Sequence, residues 1–265
     1  MTLHGRAGAW IYPSATVTVI LVTWELAARG GWVPPYLLPS VSGVVTRTVA
    51  LRALVIKELL VTLSETLLGF GLSVVVGVPL GFALVSWRAF HQAVYPLLIG
   101  SQVVPKVALA PLFLLWFGFG LTAKVLIAFL VAFFPIVINS AVGLGSTEPE
   151  KLDVARAAGA RPLQLFWLVR LPNALPTIFA GMKVSITLAV VGALVAEFIA
   201  AENGIGRLLL NANGNMDTEL LFGGILALVA LGVVLYLIME ACERLLLPWH
   251  ISQRAGPGAR LDAAP

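Results

Sequence analysis

The sequence predicts an all-α, polytopic membrane helix bundle with six transmembrane helices. Three observations carry that expectation. Of 265 residues, 59% are hydrophobic and only 11% charged, against about 25% charged in a soluble domain. Several uncharged runs approach the length of about 20 apolar residues that a helix needs to cross a bilayer. The runs are continuously apolar and do not alternate, which favours helices over a barrel. The formal charge of +4 fits a positive-inside bias better than nucleic-acid binding. The single cysteine, Cys242, excludes an internal disulfide and reads as a buried, inert thiol.

The first run, Ala7–Trp24, reads as a retained anchor. It is longer than the roughly 7–15 residues of a signal-peptide core, and Trp10, Tyr12 and Trp24 near its ends suit membrane interfaces. Pro34-Pro35 and Leu38-Pro39-Ser40 then turn the chain into an amphipathic surface helix over Val41–Leu54. The second span is Thr66–Trp87, where Gly77 and Gly81 at four-residue spacing let backbones pack closely, within one subunit rather than between two. The third, Val107–Ala123, is short and bracketed by Lys106 and Lys124. Val125–Leu144, Ile178–Ala196 and Leu220–Met239 complete the six. Pro105, Pro111 and Pro135 break backbone hydrogen bonds in the middle spans, which is tolerated where helices line a cavity or pack on neighbours. Gln253–Pro265 is a polar tail, expected to be disordered. No internal repeat is evident, so residues 1–265 read as a single domain with core 60–248 and a mid-chain loop 147–172.

That loop holds the most charged interior segment, Glu148 to Pro172. Asp153 to Ala160 is Ala-rich and should be helical. Gly159-Ala160 supplies a turn, Pro162 opens a second short helix over Leu163–Val169, and Pro172 ends it. The expected result is a helix–turn–helix along the membrane. Its small residues Ala155, Ala157, Ala158 and Gly159 leave room to enter a partner's groove, with Arg156 and Arg161 flanking. The plainer reading is an ordinary basic cytoplasmic loop. An even number of spans with this loop inside puts Lys151, Arg156, Arg161, Arg170, Arg6, Arg88, Arg244, Arg254 and Arg260 inside. Arg29, Arg47, Arg52, Lys57, Lys124 and Arg207 fall outside, a weak bias in the right sense.

Four charges fall inside spans, where charge is costly and marks function by default. Lys106 and Lys183 read as snorkelling to the cytoplasmic interface. Glu65 reads as interfacial, at the outer end of the second span. Glu197, ahead of the Asn203-Gly204 turn, reads either as holding an outer gate, paired with a basic or amide group, or equally as a structural pairing with a neighbouring helix end. Lys106, Lys183, Glu197 and Asn203 together form the candidate pathway and gate. No Walker A pattern occurs, so any ATP is bound by another chain. No H-E-x-x-H pattern occurs either, and no catalytic residue, metal or cofactor is expected; His4, His91 and His250 lie near span ends.

The loop resembles the coupling loop of ABC-importer permeases, EAA-x3-G-x9-I-x-LP, here Asp153-Val154-Ala155, Gly159 and Val169-Arg170-Leu171-Pro172. Asp153 and Val154 depart from it; the spacing from Gly159 to Val169 fits. Further matches follow in order: Leu38-Pro39-Ser40, Pro105-Lys106 through Pro111-Leu112, Trp116-Phe117-Gly118-Phe119-Gly120, Phe133-Phe134-Pro135-Ile136, Ala196-Glu197-Phe198 and Asn203-Gly204-Ile205-Gly206. Together they resemble the nitrate/sulfonate/taurine subfamily, which includes bicarbonate and thiamine-precursor importers, over roughly residues 37–245. The resemblance implies a type I importer permease with a MetI-like fold in the bacterial inner membrane, both termini cytoplasmic. It implies a second permease subunit (a homodimer), cytoplasmic ATPase subunits and an extracytoplasmic solute-binding protein. It assigns ATPase coupling to Asp153, Ala155, Arg156, Ala157, Ala158, Gly159, Ala160, Arg161, Leu171 and Pro172. The implied solute is a small oxyanion such as sulfonate, taurine or nitrate, or alternatively a thiamine-precursor pyrimidine. A reading from another class, an ion-coupled secondary transporter, would use Glu65, Lys106 and Glu197 as the coupling set, and would usually bring inverted repeats.

Overall fold

Every regular element among the described residues is helical, as the runs require: inside a bilayer a spanning segment must close its own backbone hydrogen bonds. The computed structural model describes residues 4–31, 33–200 and 202–248, without the side chains of 4–11, 13 and 200. His250, Arg254, Arg260 and the tail Gln253–Pro265 lie outside the described residues. In chain order the helices are α1 (His4–Arg29), α2 (Val41–Ala50), α3 (Arg52–Ser86), α4 (Arg88–Val103), α5 (Ala110–Phe117), α6 (Leu121–Gly145), α7 (Pro149–Ala157), α8 (Pro162–Leu165), α9 (Leu171–Ala200), α10 (Ile205–Gly214) and α11 (Thr218–Leu246). A 3₁₀ turn, Lys106–Leu109, precedes α5, and a π turn, Phe166–Arg170, joins α8 to α9.

Among the described residues, four helical stretches are long and apolar enough to cross a membrane: α3, α6, Pro162–Ile199 and α11. A fifth candidate is a bent pair, α4 with Lys106–Phe117, meeting at 89°. The 26-residue α1 holds the first predicted run. The third predicted span differs from expectation. Val107–Ala123 is not one helix: α5 ends at Gly118 (φ +78) and α6 begins at Leu121. Pro111 falls in the first turn of α5, where its missing N–H has no partner to lose. The predicted surface helix likewise stops at Ala50, and α3 restarts at Arg52.

The chain forms two compact units. The first takes the described residues up to Lys57 together with Leu208–Ala227. Here the Leu-Pro-Ser turn is a joint: the Trp24 indole donates to the Pro39 carbonyl at 2.9 Å, and the Ser40 hydroxyl caps α2 by accepting the Gly43 amide at 3.1 Å. The start of α11 lies against α2. A Cβ at Gly43 would stand 2.3 Å from Glu219 Oε1, and one at Gly223 would stand 2.0 Å from Thr48 Oγ1. Arg47 meets Asp217 at 2.7 Å, and Asp217 caps α11 by accepting the Leu220 amide at 3.1 Å.

The second unit, Glu58–Arg207 with Leu228–Pro248, is built on backbone proximity. Apolar side chains gain little by leaving lipid, so membrane helices associate through small residues. Cβ atoms at Gly69, Gly77 and Gly81 of α3 would stand 2.6, 2.9 and 2.5 Å from Ala128, Ile136 and Ser140 of α6. Gly77 and Gly81 thus pack within the subunit, as expected. Gly143 of α6, and Gly181 and Gly192 of α9, bring those two helices equally close. Ile186 and Val190 of α9 pack with Leu231 and Leu235 of α11, against Leu59, Leu63 and Phe70 of α3. Cys242 is half-buried.

Candidate functional site

The predicted hairpin forms, with a sharper turn than sequence spacing conveys. Pro149 opens α7, Glu150 lies in its first turn and Arg156 in its last, each of the sign that the helix dipole favours. At its end the Gly159 amide donates to Arg156 O at 2.9 Å and the Ala160 amide to Ala155 O at 3.0 Å. This pair of bonds is the Schellman motif. It requires a left-handed residue after the cap, and Gly159 has φ +82. A Cβ there would meet nothing within 4 Å, so dihedral strain, not crowding, selects glycine. The Arg161 amide donates to Gln164 Oε1 at 2.8 Å and opens α8. The surface ion pairs Arg156–Asp153 (3.0 Å) and Lys151–Glu148 (3.2 Å) are exposed and contribute little.

Pro172 does not end the second arm. It sits in the first turn of α9, because the π turn carries α8 straight into that helix. Inside that continuous stretch Pro172 has no amide to bond back, and the adjoining π turn, where the Leu171 amide donates to Phe166 O, is the local irregularity that accommodates it. The second arm is thus continuous with the span Pro162–Ile199. Its root is fixed: the Phe166 ring meets that of Phe82 at a 60° tilt with centroids 4.5 Å apart, and Leu171 packs beside Leu144, Ala174 and Ile178. The tip is open. Ala157, Ala158 and Gly159 are exposed, and so are Val154, Leu163, Trp167 and Leu168. These four apolar side chains on an otherwise polar hairpin make a surface fit for protein contact. Sequence reasoning treated Val154 as a mere departure and overlooked Trp167.

A second constellation lies inside the bundle. Thr62 Oγ1 of α3 donates to Glu197 Oε1 at 2.6 Å, and Glu197 Oε2 accepts the Gly206 amide at 2.5 Å. The Ile205 amide donates to Thr62 Oγ1 at 3.0 Å, and the Gly204 amide to Glu58 Oε2 at 2.6 Å. Three successive amides at the start of α10, which a helix leaves without internal partners, are thus held by α3 and α9. Gly204 has φ +112, and a Cβ on it would stand 2.0 Å from Glu197 Oε1. The Asn-Gly-Ile-Gly spacing follows from that fit. Beside it Lys124 Nζ donates to Glu65 Oε1 at 2.8 Å and to the Asn203 carbonyl at 3.3 Å.

The structure places Glu197 and the Asn203 carbonyl in one cluster with Glu58, Thr62, Glu65 and Lys124 and corrects their surroundings. Glu65 is not interfacial; it is 1% exposed and paired. Lys124 is not an outside loop residue but a buried member of α6. Glu58 and Thr62 were missed, although a signal was present: Glu58, Thr62, Glu65, Gly69 and Ser73 recur at helical spacing, a polar and small stripe on an apolar helix. Lys183 stands apart and does not snorkel; it reaches Glu243 of α11 at 2.6 Å. Lys106 also stands apart, its Nζ 4.6 Å from the centroid of the Phe134 ring.

The site is thus a polar two-armed hairpin between spans of a membrane-helix unit knitted by glycines. Residues 69–249 match the binding-protein-dependent transport system inner membrane component, and the chain belongs to that family of ABC transporter permeases. It is 36% identical to the formylaminopyrimidine transport permease protein ThiX of Halalkalibacterium halodurans, over 91% of this chain and 96% of that one. It is 39% identical to the riboflavin transport system permease protein RibX of Chloroflexus aurantiacus, over 89% of each. To the taurine transport system permease protein TauC of Escherichia coli it is 28% identical, over 94% of this chain and 96% of that one. A solved structure of the MetNI methionine ABC transporter, inward facing, has the same fold: TM-score 0.66 at 19% identity, over 74% of this chain and 97% of that one.

Proposed function

We propose that this chain is the transmembrane subunit of an ATP-driven importer of a small solute, and that the hairpin 148–172 is where a separate cytoplasmic ATPase drives it. The observation that carries this reading is the exposed tip around Gly159 on an arm continuous with α9. A push on the tip moves a spanning helix without an intervening hinge loop. Asp153, Ala155, Arg156, Ala157, Ala158, Gly159, Ala160 and Arg161 form the docking tip. Leu171 and Pro172 form the rigid junction that transmits its motion. The hairpin then lies on the cytoplasmic side of the membrane, the side also assigned to both termini. A second copy of the permease and an extracytoplasmic solute-binding protein complete the assembly.

For the solute, sulfonate, taurine or nitrate is the reading that the subfamily motifs support. A second reading, a nitrogen heteroaromatic, is favoured by the 36% and 39% identities to permeases named for formylaminopyrimidine and riboflavin, against 28% to the taurine permease. Uptake of labelled taurine, nitrate and riboflavin by the reconstituted complex separates the two. The coupling role is tested by Gly159→Arg. A side chain at φ +82 costs about 1–2 kcal/mol, enough to reshape an exposed turn but not to unfold the bundle. Binding-protein-stimulated ATP hydrolysis and uptake should both fall to background. Uptake at the parent rate would remove this role for the hairpin.

A further inference from the structure

Of the four intramembrane charges read from the sequence, Glu65, Lys183 and Glu197 have charged or hydrogen-bonding partners. Lys106 has none: among the described residues no carboxylate pairs with it. Its ammonium stands over the Phe134 ring. Phe134 is the fourteenth of the 25 residues of α6, so the ring lies about 20 Å from one end of that helix and about 16 Å from the other at 1.5 Å per residue. The ammonium is therefore at mid-span and has not snorkelled to either face. An aromatic face attracts a cation but does not replace its hydration shell.

The backbone beside Lys106 is equally unusual for this depth. Pro105 has no amide hydrogen, and the chain turns through 89° between α4 and Lys106–Phe117. Irregular backbone at membrane depth is stable only where protein covers it or water reaches it. This chain does not cover it: Val103 is 84% exposed and Val107 is 50% exposed. A passage along the break in the assembled importer would give water access to both the irregular backbone and the unpaired ammonium. Phe129, Phe133 and Phe134 continue along α6 with ring centroids 5.2 and 5.3 Å apart, an apolar lane beside the charge.

We propose that Lys106 and the Phe134 ring form a mid-membrane contact site for the travelling solute, where the ammonium takes an anionic oxygen of a sulfonate, nitrate or carboxylate and, in a solute that has one, the phenylalanine lane takes the organic part. This deepens the importer reading above and rests on it. The ammonium supplies charge-assisted hydrogen bonds that a neutral amide cannot match, and arginine preserves the charge but not the point geometry.

The test uses the complete complex of permease, ATPase and binding protein in proteoliposomes, with taurine and nitrate as probes. In one arm, Lys106 is acetylated with an activated ester and the modified peptide is quantified by mass spectrometry. At least one probe should slow its modification several-fold. In the other arm, Lys106→Gln should raise the KM for that probe about tenfold, the effect of one lost charge-assisted bond, while Lys106→Arg recovers most of it. Equal acetylation with and without both probes, or a parental KM in Lys106→Gln, overturns the site. Failure of the oxyanion reading has a different signature. The parent complex then imports neither probe, and the acetylation arm still decides whether Lys106 holds an anion.

Discussion

Lys124→Met should destabilise the bundle more than any loss of surface charge. Lys124 and Glu65 are 8% and 1% exposed and 2.8 Å apart. Glu65 Oε2 has no other partner, and the Lys124 ammonium also serves the Asn203 carbonyl. Removing the lysine leaves a buried carboxylate beside that of Glu197 without its counter-charge. Breaking a buried pair on one side costs about 3–5 kcal/mol, whereas replacing both partners by apolar groups of similar volume is often neutral. Glu65→Leu in the Lys124→Met background should therefore recover most of the loss, a coupling of about 2–3 kcal/mol within the usual range for contacting residues. The assay is unfolding of the purified permease by sodium dodecyl sulfate in mixed micelles, followed by tryptophan fluorescence, for parent, both single variants and the double. A single variant within about 1 kcal/mol of the parent, or losses that simply add in the double, would refute the reasoning.

Two further outcomes follow from the same geometry. On the proposed orientation, a cysteine at Gln164 should react only with reagents that reach the cytoplasm, and one at Asn213 only with external ones; both positions are exposed, and labelling of both from one side would overturn the topology. Partial burial works against the Asp217 carboxylate, but the Arg47 guanidinium and the Leu220 amide hold it below the usual carboxylate range. A depressed folded value gives stability above the unfolded value of about 3.9 that is lost as pH falls through the folded value. Asp217→Asn should flatten that acid limb in melting curves between about pH 5 and 3, and identical acid losses in parent and variant would show that the pair carries no linkage.

The hairpin was legible because its determinants are local. Ala-rich sequence makes α7, one glycine permits the left-handed turn, and Pro162 opens the next arm, all within a few residues. Pro172 misled because proline has two roles, closing a helix or standing inside one beside a local irregularity such as the π turn Phe166–Arg170. Which role applied depended on whether Phe166–Arg170 stayed helical, and the contacts of Phe166 with Phe82 and the core decide that.

By itself the sequence determined the class of protein: apolar runs long enough to span, a polar hairpin between them, and glycines at four-residue spacing where helices approach. These follow from chain length, hydration and backbone sterics, which act along the chain. Only the tertiary structure decided what the charges do. Glu65 meets Lys124 across 59 residues and Glu197 meets Thr62 across 135, while Lys106 faces an aromatic ring and no carboxylate. A carboxylate has the same sequence signature whether it ends at an interface or in a buried pair. The difference lies in which helix face opposes it, and that is set by glycine contacts between helices distant in the chain.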